Sequence, residues 1–168
     1  SFVDMLEEEL SDIVKTVREI DQSMVDEVVD LMKQDYHIHF FAKGLTDIVF
    51  DYAARHLLSL SKFATRYDDT HIAYAQARNF GPKDMVFLAS MSGETEQVLR
   101  VAQIAKAKNA KVVTFTASKA STLSTIGDYN FNIVNTVPPL AEIDTKSRCQ
   151  LMFILNVIIK REYNSIIK

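Results

Sequence analysis

The chain has 168 residues and a formal net charge of −3, and 48% of its residues are hydrophobic. This length suits one domain with a single sizeable core, and the negative balance gives no electrostatic footprint for nucleic acid. The only cysteine, Cys149, cannot form an intrachain disulfide, which favours an intracellular setting. No apolar run approaches the roughly 20 residues of a membrane span. We therefore expect a soluble, cytoplasmic protein with no membrane contact.

The first element is a long amphipathic helix, because apolar residues recur every three or four positions. The first twenty residues carry six acids and two bases, so the helix has an acidic outer face that would repel a phosphate backbone. A second helix is predicted from Ser23, as its N-cap, to Met32. We assign residues 1–35 to these helices, with a linking or dimerising role. Because the chain starts with Ser1 rather than Met, we expect a processed protein or a fragment of a longer one. The apolar positions are Val3, Leu6, Leu10, Ile13, Val17 and Ile20.

From residue 36 onward, strand-like and helical segments alternate. The strand-like runs are HIHFFA, KFATRY, DMVFLAS, KVVTFT and YNFNIV, and a helical segment follows each of the first four. This alternation predicts a parallel sheet with helices on both faces and right-handed crossovers. A last long helix is predicted from Asp144 to the end of the chain. The predicted fold class is α/β, a three-layer αβα sandwich with a five-stranded parallel sheet and long N-terminal and C-terminal helices.

The run ASMSGET at the end of the third strand carries the chemistry of the predicted site. Open parallel sheets bind ligands beyond the carboxyl ends of their strands, and a glycine turn into a helix N-terminus exposes N–H groups to an anion. One serine or threonine there is most often only an N-cap. Three hydroxyls around Gly93, those of Ser90, Ser92 and Thr95, exceed what a cap needs. The run therefore predicts a site for phosphate or a similar oxyanion.

The absence of two nucleotide-binding motifs narrows the range of ligands that this site could bind. The sequence contains neither G-x-G-x-x-G after the first strand nor G-x-x-x-x-G-K-[ST] anywhere, so neither a dinucleotide nor a P-loop nucleotide is favoured. We expect no cofactor, and a small phosphorylated molecule remains as the ligand class. Glu94 and Glu96 should point outward, because a carboxylate aimed into the turn would repel the anion.

The run from Ser90 to Thr95 matches the S-x-S-G-x-T signature of the sugar isomerase (SIS) domain, and the order of elements resembles that family over about residues 20–165. The resemblance implies a flavodoxin-like fold over residues 36–168 and a second ligand loop, G-x-G-x-S, after the first strand. Here that loop keeps Gly44 and Thr46, while Ala42 replaces the first glycine and Lys43 either adds charge or is simply solvated.

Within the family, the chain resembles the effector domain of RpiR-type bacterial transcriptional regulators. The resemblance rests on the long first helix, on FAKGLTD, on the segment around SMSGET, and on Glu142 followed by Ser147 and Arg148. It implies a non-catalytic sensor of a sugar phosphate that works as a homodimer or larger assembly in carbohydrate metabolism. It also implies that DNA is contacted only through an N-terminal helix-turn-helix domain that this chain lacks. Ligand-binding residues would be Lys43, Gly44, Thr46, Ser90, Ser92, Gly93, Thr95 and Glu142.

Two other functions stay open on the sequence. A stand-alone aldose–ketose sugar-phosphate isomerase needs an acid or base near the sugar, and Glu142 and His71 are the candidates for that role. A domain that only mediates oligomerisation is the third possibility, although the hydroxyls of the ASMSGET run speak against it.

Several further side chains have both a functional and a structural interpretation. His37 and His39 share one face of the first strand, in metal-ligand spacing, but without a third ligand we expect them to be packed under a helix. Asp68, Asp69 and His71 form a local polar cluster that is expected to cap the helix that starts near Thr70. Arg148 could bind a phosphate or form an interface salt bridge.

Overall fold

The computed structural model of the protein describes residues 1–136, 138 and 143–166. In this part of the chain, helices and strands follow the order α1 (Phe2–Glu19), α2 (Gln22–Met32), β1 (His37–Phe41), α3 (Leu45–Ser59), β2 (Ala64–Tyr67), α4 (Thr70–Ala77), β3 (Asp84–Ser90), α5 (Glu96–Ala107), β4 (Lys111–Thr116), α6 (Thr122–Ile126), β5 (Tyr129–Asn132) and α7 (Cys149–Ile166).

The five strands form one parallel sheet in the order β2-β1-β3-β4-β5. In the register of the central pair, Phe41 lies opposite Leu88, so the carboxyl ends of β1 and β3 meet at one edge of the sheet. The chain leaves β1 towards β2 on one side and returns to β3 on the other, which makes this edge the topological switch point. The predicted fold class is confirmed.

Helices cover both faces of the sheet because the strands are apolar on both sides. Residues of α2, α3 and α7 pack on one face, around aromatic side chains such as Phe40, Phe50 and Phe115. Residues of α4, α5 and α6 pack on the other face with Val86, Leu88 and their neighbours. The result is the predicted three-layer arrangement. No helix within the described ranges has the length and apolarity that crossing a membrane requires.

Two helix starts differ from the sequence-based expectation. The N-cap of α2 is Asp21, whose side chain accepts a hydrogen bond from the Ser23 N–H, so Ser23 lies inside the helix. The last helix begins at Cys149 rather than at Asp144. In the second case, the Asp144 carboxylate accepts a hydrogen bond from the Lys146 N–H and the Ser147 hydroxyl accepts one from the Cys149 N–H, and such local side-chain bonds to the backbone compete with a helix.

The amphipathic helix α1 buries its polar side and exposes its apolar side. Asp12 is 2% exposed and Thr16 is 1% exposed. Asp12 accepts hydrogen bonds from the N–H (3.0 Å) and the hydroxyl (2.7 Å) of Thr136, and Thr16 accepts one from the Val134 N–H (3.0 Å). The prediction of an amphipathic helix is confirmed, but most of its apolar positions lie at the surface of this chain, whereas Ile13 and Ile20 are half-buried. Those at 40–60% exposure are Val3, Leu6, Leu10, Val14 and Val17.

Replacing Asp12 by alanine should release α1 from the segment after β5. The substitution removes two hydrogen bonds to a buried charged group, each of which contributes about 1.5–3 kcal/mol, and we expect α1 amides to exchange at least tenfold faster. Hydrogen exchange measured by mass spectrometry checks this, with Glu8→Ala on the exposed side of α1 as the control. Equal protection of α1 in the two variants would contradict the anchoring role of Asp12.

Candidate functional site

A cavity of about 470 Å³ lies at the switch point, beyond the carboxyl ends of β1 and β3. Its walls come from the loop after β1, the turn after β3 and the segment before α7. Six of the sequence-predicted ligand residues line it together, namely Lys43, Gly44, Thr46, Ser90, Ser92 and Thr95. Residues far apart in the chain thus meet at one opening.

The three hydroxyls of the ASMSGET turn form one hydrogen-bonded cluster. The Ser90 hydroxyl lies 2.7 Å from the Thr95 hydroxyl and 3.4 Å from that of Ser92. Thr95 occupies the N-cap position of α5, but its side chain makes no capping hydrogen bond. Because the first N–H groups of a helix have no intrahelical partner, the α5 N-terminus keeps uncapped donors beside these hydroxyls. Capping alone therefore does not explain the threonine.

Gly93 shapes the turn rather than lining the cavity. Its φ is +72°, and an added Cβ would lie 2.0 Å from the Ser121 Oγ. Its N–H donates to the carbonyl oxygen and the hydroxyl of Ser90, both at 3.1 Å, and its carbonyl accepts from the Leu123 N–H at 3.0 Å. The glycine lets the turn pack directly against the start of α6.

Glu94 points away from the cavity, as expected. Its carboxylate accepts hydrogen bonds from the N–H (2.7 Å) and the hydroxyl (2.8 Å) of Thr122, the first residue of α6. These bonds, led by the one from the backbone N–H, hold the pKa of Glu94 below its ordinary value. Glu96 is also exposed. The acids of the turn therefore do not add negative charge to the cavity.

The loop after β1 supplies the opposite wall. Gly44 adopts a φ of +64° at the N-cap of α3, where no side chain caps the helix. The Lys43 ammonium donates to the Thr70 hydroxyl at 3.0 Å. Thr46 is buried, and its hydroxyl accepts from the Arg148 Nε at 3.1 Å. This wall presents one lysine ammonium and one hydroxyl towards the cavity.

The segment before α7 forms a rim that sequence reasoning largely missed. Asp144, Lys146 and Arg148 line the cavity. The Arg148 guanidinium binds both carboxylate oxygens of Asp144, at 3.1 and 2.5 Å, and this hydrogen bonding holds the pKa of Asp144 below its ordinary value. Lys146 has no ion pair among the described residues. With Lys43, the lining side chains that the structure describes carry three cations and one anion, an excess of two positive charges.

Some predicted residues lie elsewhere. His71 is exposed on α4 and does not line the cavity, while Asp69 caps that helix by accepting from the Ile72 N–H at 3.0 Å. Arg148 pairs with Asp144 of its own chain. Glu142 lies outside the described residues. The basic rim could have been suspected from the run DTKSR, but nothing in the sequence places that run beside the ASMSGET turn.

A second polar cluster lies at the amino ends of β1 and β3. Ligand atoms of His37, His39 and Asp84 lie within 4.8 Å of one another. Both ring nitrogens of His39 already have partners at 2.7 Å, the Tyr67 hydroxyl and the Asp84 carboxylate, and the His37 Nε2 lies 2.7 Å from the Thr65 hydroxyl. The cluster is therefore a hydrogen-bonded network within the fold.

The histidine network should make the protein less stable in weak acid. Burial lowers the pKa of His39 to about 4, from 6.5 in the unfolded chain. Between these two pH values the unfolded state therefore binds more protons than the folded state. The free energy of unfolding has its full value above pH 6.5 and decreases as the pH drops towards 4. At pH 5.0 the free energy of unfolding should be about 2 kcal/mol lower than at pH 7.5.

Urea unfolding at the two pH values measures this loss. The His39→Gln variant should lose most of the pH dependence, whereas His71→Gln, which changes an exposed histidine, should retain it. A wild-type protein with the same stability at both pH values would show that His39 titrates normally.

The protein is a doubly wound parallel α/β domain with a hydroxyl-lined glycine turn at its switch point. The family model of the SIS domain matches residues 30–158. This match covers more than half of the chain, and the chain belongs to the SIS domain family.

The relatives include transcriptional regulators, and the similar structures include a putative sugar-phosphate isomerase from Listeria monocytogenes, with a TM-score of 0.85 at 14% identity over 98% of this chain and 88% of that chain. The uncharacterized HTH-type transcriptional regulator YbbH of Bacillus subtilis is 27% identical over 140 residues, which is 83% of this chain and 50% of that protein. The chain thus spans about half the length of this curated relative. The Vibrio vulnificus NanR protein complexed with ManNAc-6P shares the fold, with a TM-score of 0.89 at 24% identity over 98% of this chain and 63% of that chain. The sugar isomerase domain of an RpiR transcription factor from Sphaerobacter thermophilus also shares the fold. Its TM-score is 0.83 at 15% identity, over 95% of this chain and 88% of that chain.

Proposed function

We propose that the chain is a non-catalytic effector domain that binds a sugar phosphate on behalf of an RpiR-like transcriptional regulator. The observation that carries this proposal is the uncapped α5 N-terminus, which opens into a cavity beside three clustered hydroxyls. A helix N-terminus with free N–H groups favours a phosphate. The excess of two positive charges on the lining side chains matches the charge of a phosphate monoester dianion.

In this proposal the phosphate lies at the turn after β3, where Ser90, Ser92, Thr95 and the first N–H groups of α5 hold it. Gly93 acts by keeping the turn tight. The sugar then extends towards Thr46 and the basic rim, with Lys43 at the opening. Glu142 remains a proposed sugar contact.

The only described carboxylate that lines the cavity is poorly suited to acid–base catalysis. An isomerase base works best with a pKa near the operating pH, but Asp144 is held ionised by two hydrogen bonds from Arg148. Of the two bases predicted from the sequence, His71 does not line the cavity, and Glu142 lies outside the described residues. The described part of the cavity therefore offers no well-suited base, which supports a sensor.

The position of α1 suggests how ligand binding could be transmitted. Asp12 and Thr16 of α1 hold Val134 and Thr136. Four residues further along the same connection between β5 and α7 line the cavity, namely Ile143, Asp144, Lys146 and Arg148. Ligand contacts to the rim would then bias the pose of α1, within the 1–3 kcal/mol that is common for coupling between sites. Residues 1–35 would carry this bias to a helix-turn-helix domain outside this chain, in a cytoplasmic homodimer or larger assembly.

Binding without conversion is the test of this function. The protein would be mixed with hexose, N-acetylamino-sugar and pentose phosphates, and the ³¹P NMR spectrum of each would be followed over a day with the protein near stoichiometric concentration. We expect at least one resonance to shift or broaden while no new sugar phosphate accumulates. A bound compound that is converted into its aldose or ketose partner would instead make the chain an isomerase.

A further inference from the structure

Asp144 is the only described carboxylate that lines the cavity, and it stays accessible there. Its side chain is 55% exposed. Oδ1 accepts hydrogen bonds from the Arg148 Nη1 and from the Lys146 N–H, whereas Oδ2 has the Arg148 Nη2 as its one donor among the described residues. An ionised carboxylate has about four acceptor positions. One position on Oδ2 therefore remains for a donor in the cavity.

Arg148 lines the same cavity, but its guanidinium is already occupied. A guanidinium carries five N–H groups, and four of them donate within the chain. Nε donates to the Thr46 hydroxyl, Nη1 donates to Asp144 and to the Lys146 carbonyl, and Nη2 donates to Asp144. The Arg148 side chain is only 11% exposed. Its positive charge is therefore matched by an anion of its own chain before any ligand binds.

The charge that remains for a ligand is the charge of one phosphate. Once Arg148 and Asp144 cancel, Lys43 and Lys146 are the cations left among the described lining residues. A phosphate monoester brings about two negative charges at neutral pH. A second acid group on the ligand would exceed this balance, and at the rim it would meet the Asp144 carboxylate. Like charges placed next to each other in this way oppose binding.

We propose that Asp144 selects ligands whose sugar is uncharged, an inference that rests on the proposed sugar-phosphate function. The free position on Oδ2 accepts a hydrogen bond from a sugar hydroxyl, whereas an ionised ligand carboxylate has no hydrogen to donate and is repelled. The ligand class is then the monophosphate of a neutral sugar, and phosphorylated sugar acids and sugar bisphosphates are excluded. Such a site gains specificity from an unfavourable contact with the wrong ligand as well as from a favourable contact with the right one.

Matched pairs of ligands test this selection. Each pair consists of an aldose phosphate and the aldonate phosphate that forms when its C-1 is oxidised to a carboxylate. The pairs come from the hexose, N-acetylhexosamine and pentose series, and isothermal titration calorimetry gives the dissociation constant of each compound. The wild-type protein should bind the aldose phosphate of at least one pair, and it should bind the matching aldonate phosphate at least about tenfold more weakly.

The Asp144→Asn variant separates selection from a merely structural role of the rim. The side-chain oxygen can still accept a hydrogen bond from Arg148, but the negative charge is gone. The aldose phosphate should bind about tenfold more weakly, because its hydroxyl loses a charged acceptor. The aldonate phosphate should lose little, so the two dissociation constants should come within about threefold of each other. A loosened rim would instead weaken both ligands equally and leave their ratio unchanged.

Asp30→Asn is the matched control, because Asp30 is an exposed aspartate on α2 that pairs with Lys33 and does not line the cavity. Its variant should keep the wild-type ratio, and circular dichroism verifies that both variants are folded. Equal binding of aldose and aldonate phosphates by the wild-type protein, or an Asp144→Asn variant with the wild-type ratio, would overturn the selective role of Asp144 but leave the sugar-phosphate site in place. Binding of no compound from any pair would remove the proposed function and this inference with it.

Discussion

Replacing Gly93 by alanine is expected to lower the free energy of unfolding by about 2–4 kcal/mol. The backbone at this position has a φ of +72°, and an added Cβ would lie 2.0 Å from the Ser121 Oγ and 2.2 Å from its Cβ. The positive φ costs about 1 kcal/mol for an L-residue, and the overpacking against Ser121 adds about 1–3 kcal/mol. Because the Ser121 Cβ is tied to the backbone, relief requires the turn after β3 and the start of α6 to separate. Urea unfolding of the two proteins measures the difference.

Gly81→Ala is the control for this substitution. Gly81 has an ordinary φ, and nothing lies within 4 Å of an added Cβ, so its variant should stay within about 0.5 kcal/mol of wild type. If Gly93→Ala were equally well tolerated, the turn would be looser than the structure indicates, and the close packing of the turn against α6 would be wrong.

The double variant Ser90→Ala/Ser92→Ala should bind the tightest sugar phosphate of the wild-type protein about 100-fold more weakly. A hydrogen bond to a charged group contributes about 1.5–3 kcal/mol, so the loss of two hydroxyls from the phosphate site corresponds to about 3 kcal/mol. The protein should remain folded, because the Gly93 N–H still has the Ser90 carbonyl as an acceptor. Isothermal titration calorimetry gives the two dissociation constants.

A serine far from the cavity supplies the comparison. Ser59 is exposed near the end of α3 and donates to the Arg55 carbonyl, and its replacement by alanine should leave the dissociation constant unchanged. If the double variant bound as tightly as Ser59→Ala, the phosphate would have to lie somewhere other than the turn after β3.

Much of the fold was predictable because its signals are local. The strands are four to seven residues long, the central ones are largely apolar, and their alternation with helical segments indicates a parallel sheet. The start of α7 was not predictable, because hydrogen bonds from backbone N–H groups to the Asp144 and Ser147 side chains and the contact of Arg148 with Thr46 hold residues 144–148 in a non-helical conformation. Local helix propensity contains no information about those contacts.

The candidate site also contains residues that the sequence indicates and residues that only the fold brings together. The hydroxyls of Ser90, Ser92 and Thr95 stand within six residues, so the sequence alone indicates that they act together. Asp144 and Lys146 reach the same cavity only because α7 returns to the switch point, which no short motif encodes. The orientation of α1 was also beyond the sequence, since its pattern predicts an apolar face without saying whether this chain or another covers it.

A thermal-shift screen tests the central claim most directly. Hexose, N-acetylamino-sugar and pentose phosphates would be compared with the same sugars without phosphate and with inorganic phosphate. A ligand at about 100 times its dissociation constant adds about 2.7 kcal/mol, which should raise the Tm by roughly 5–10 °C for a domain of this size. The account predicts such a rise for at least one sugar phosphate and none for its unphosphorylated sugar. Equal shifts with and without the phosphate, or no shift with any member of the panel, would contradict it.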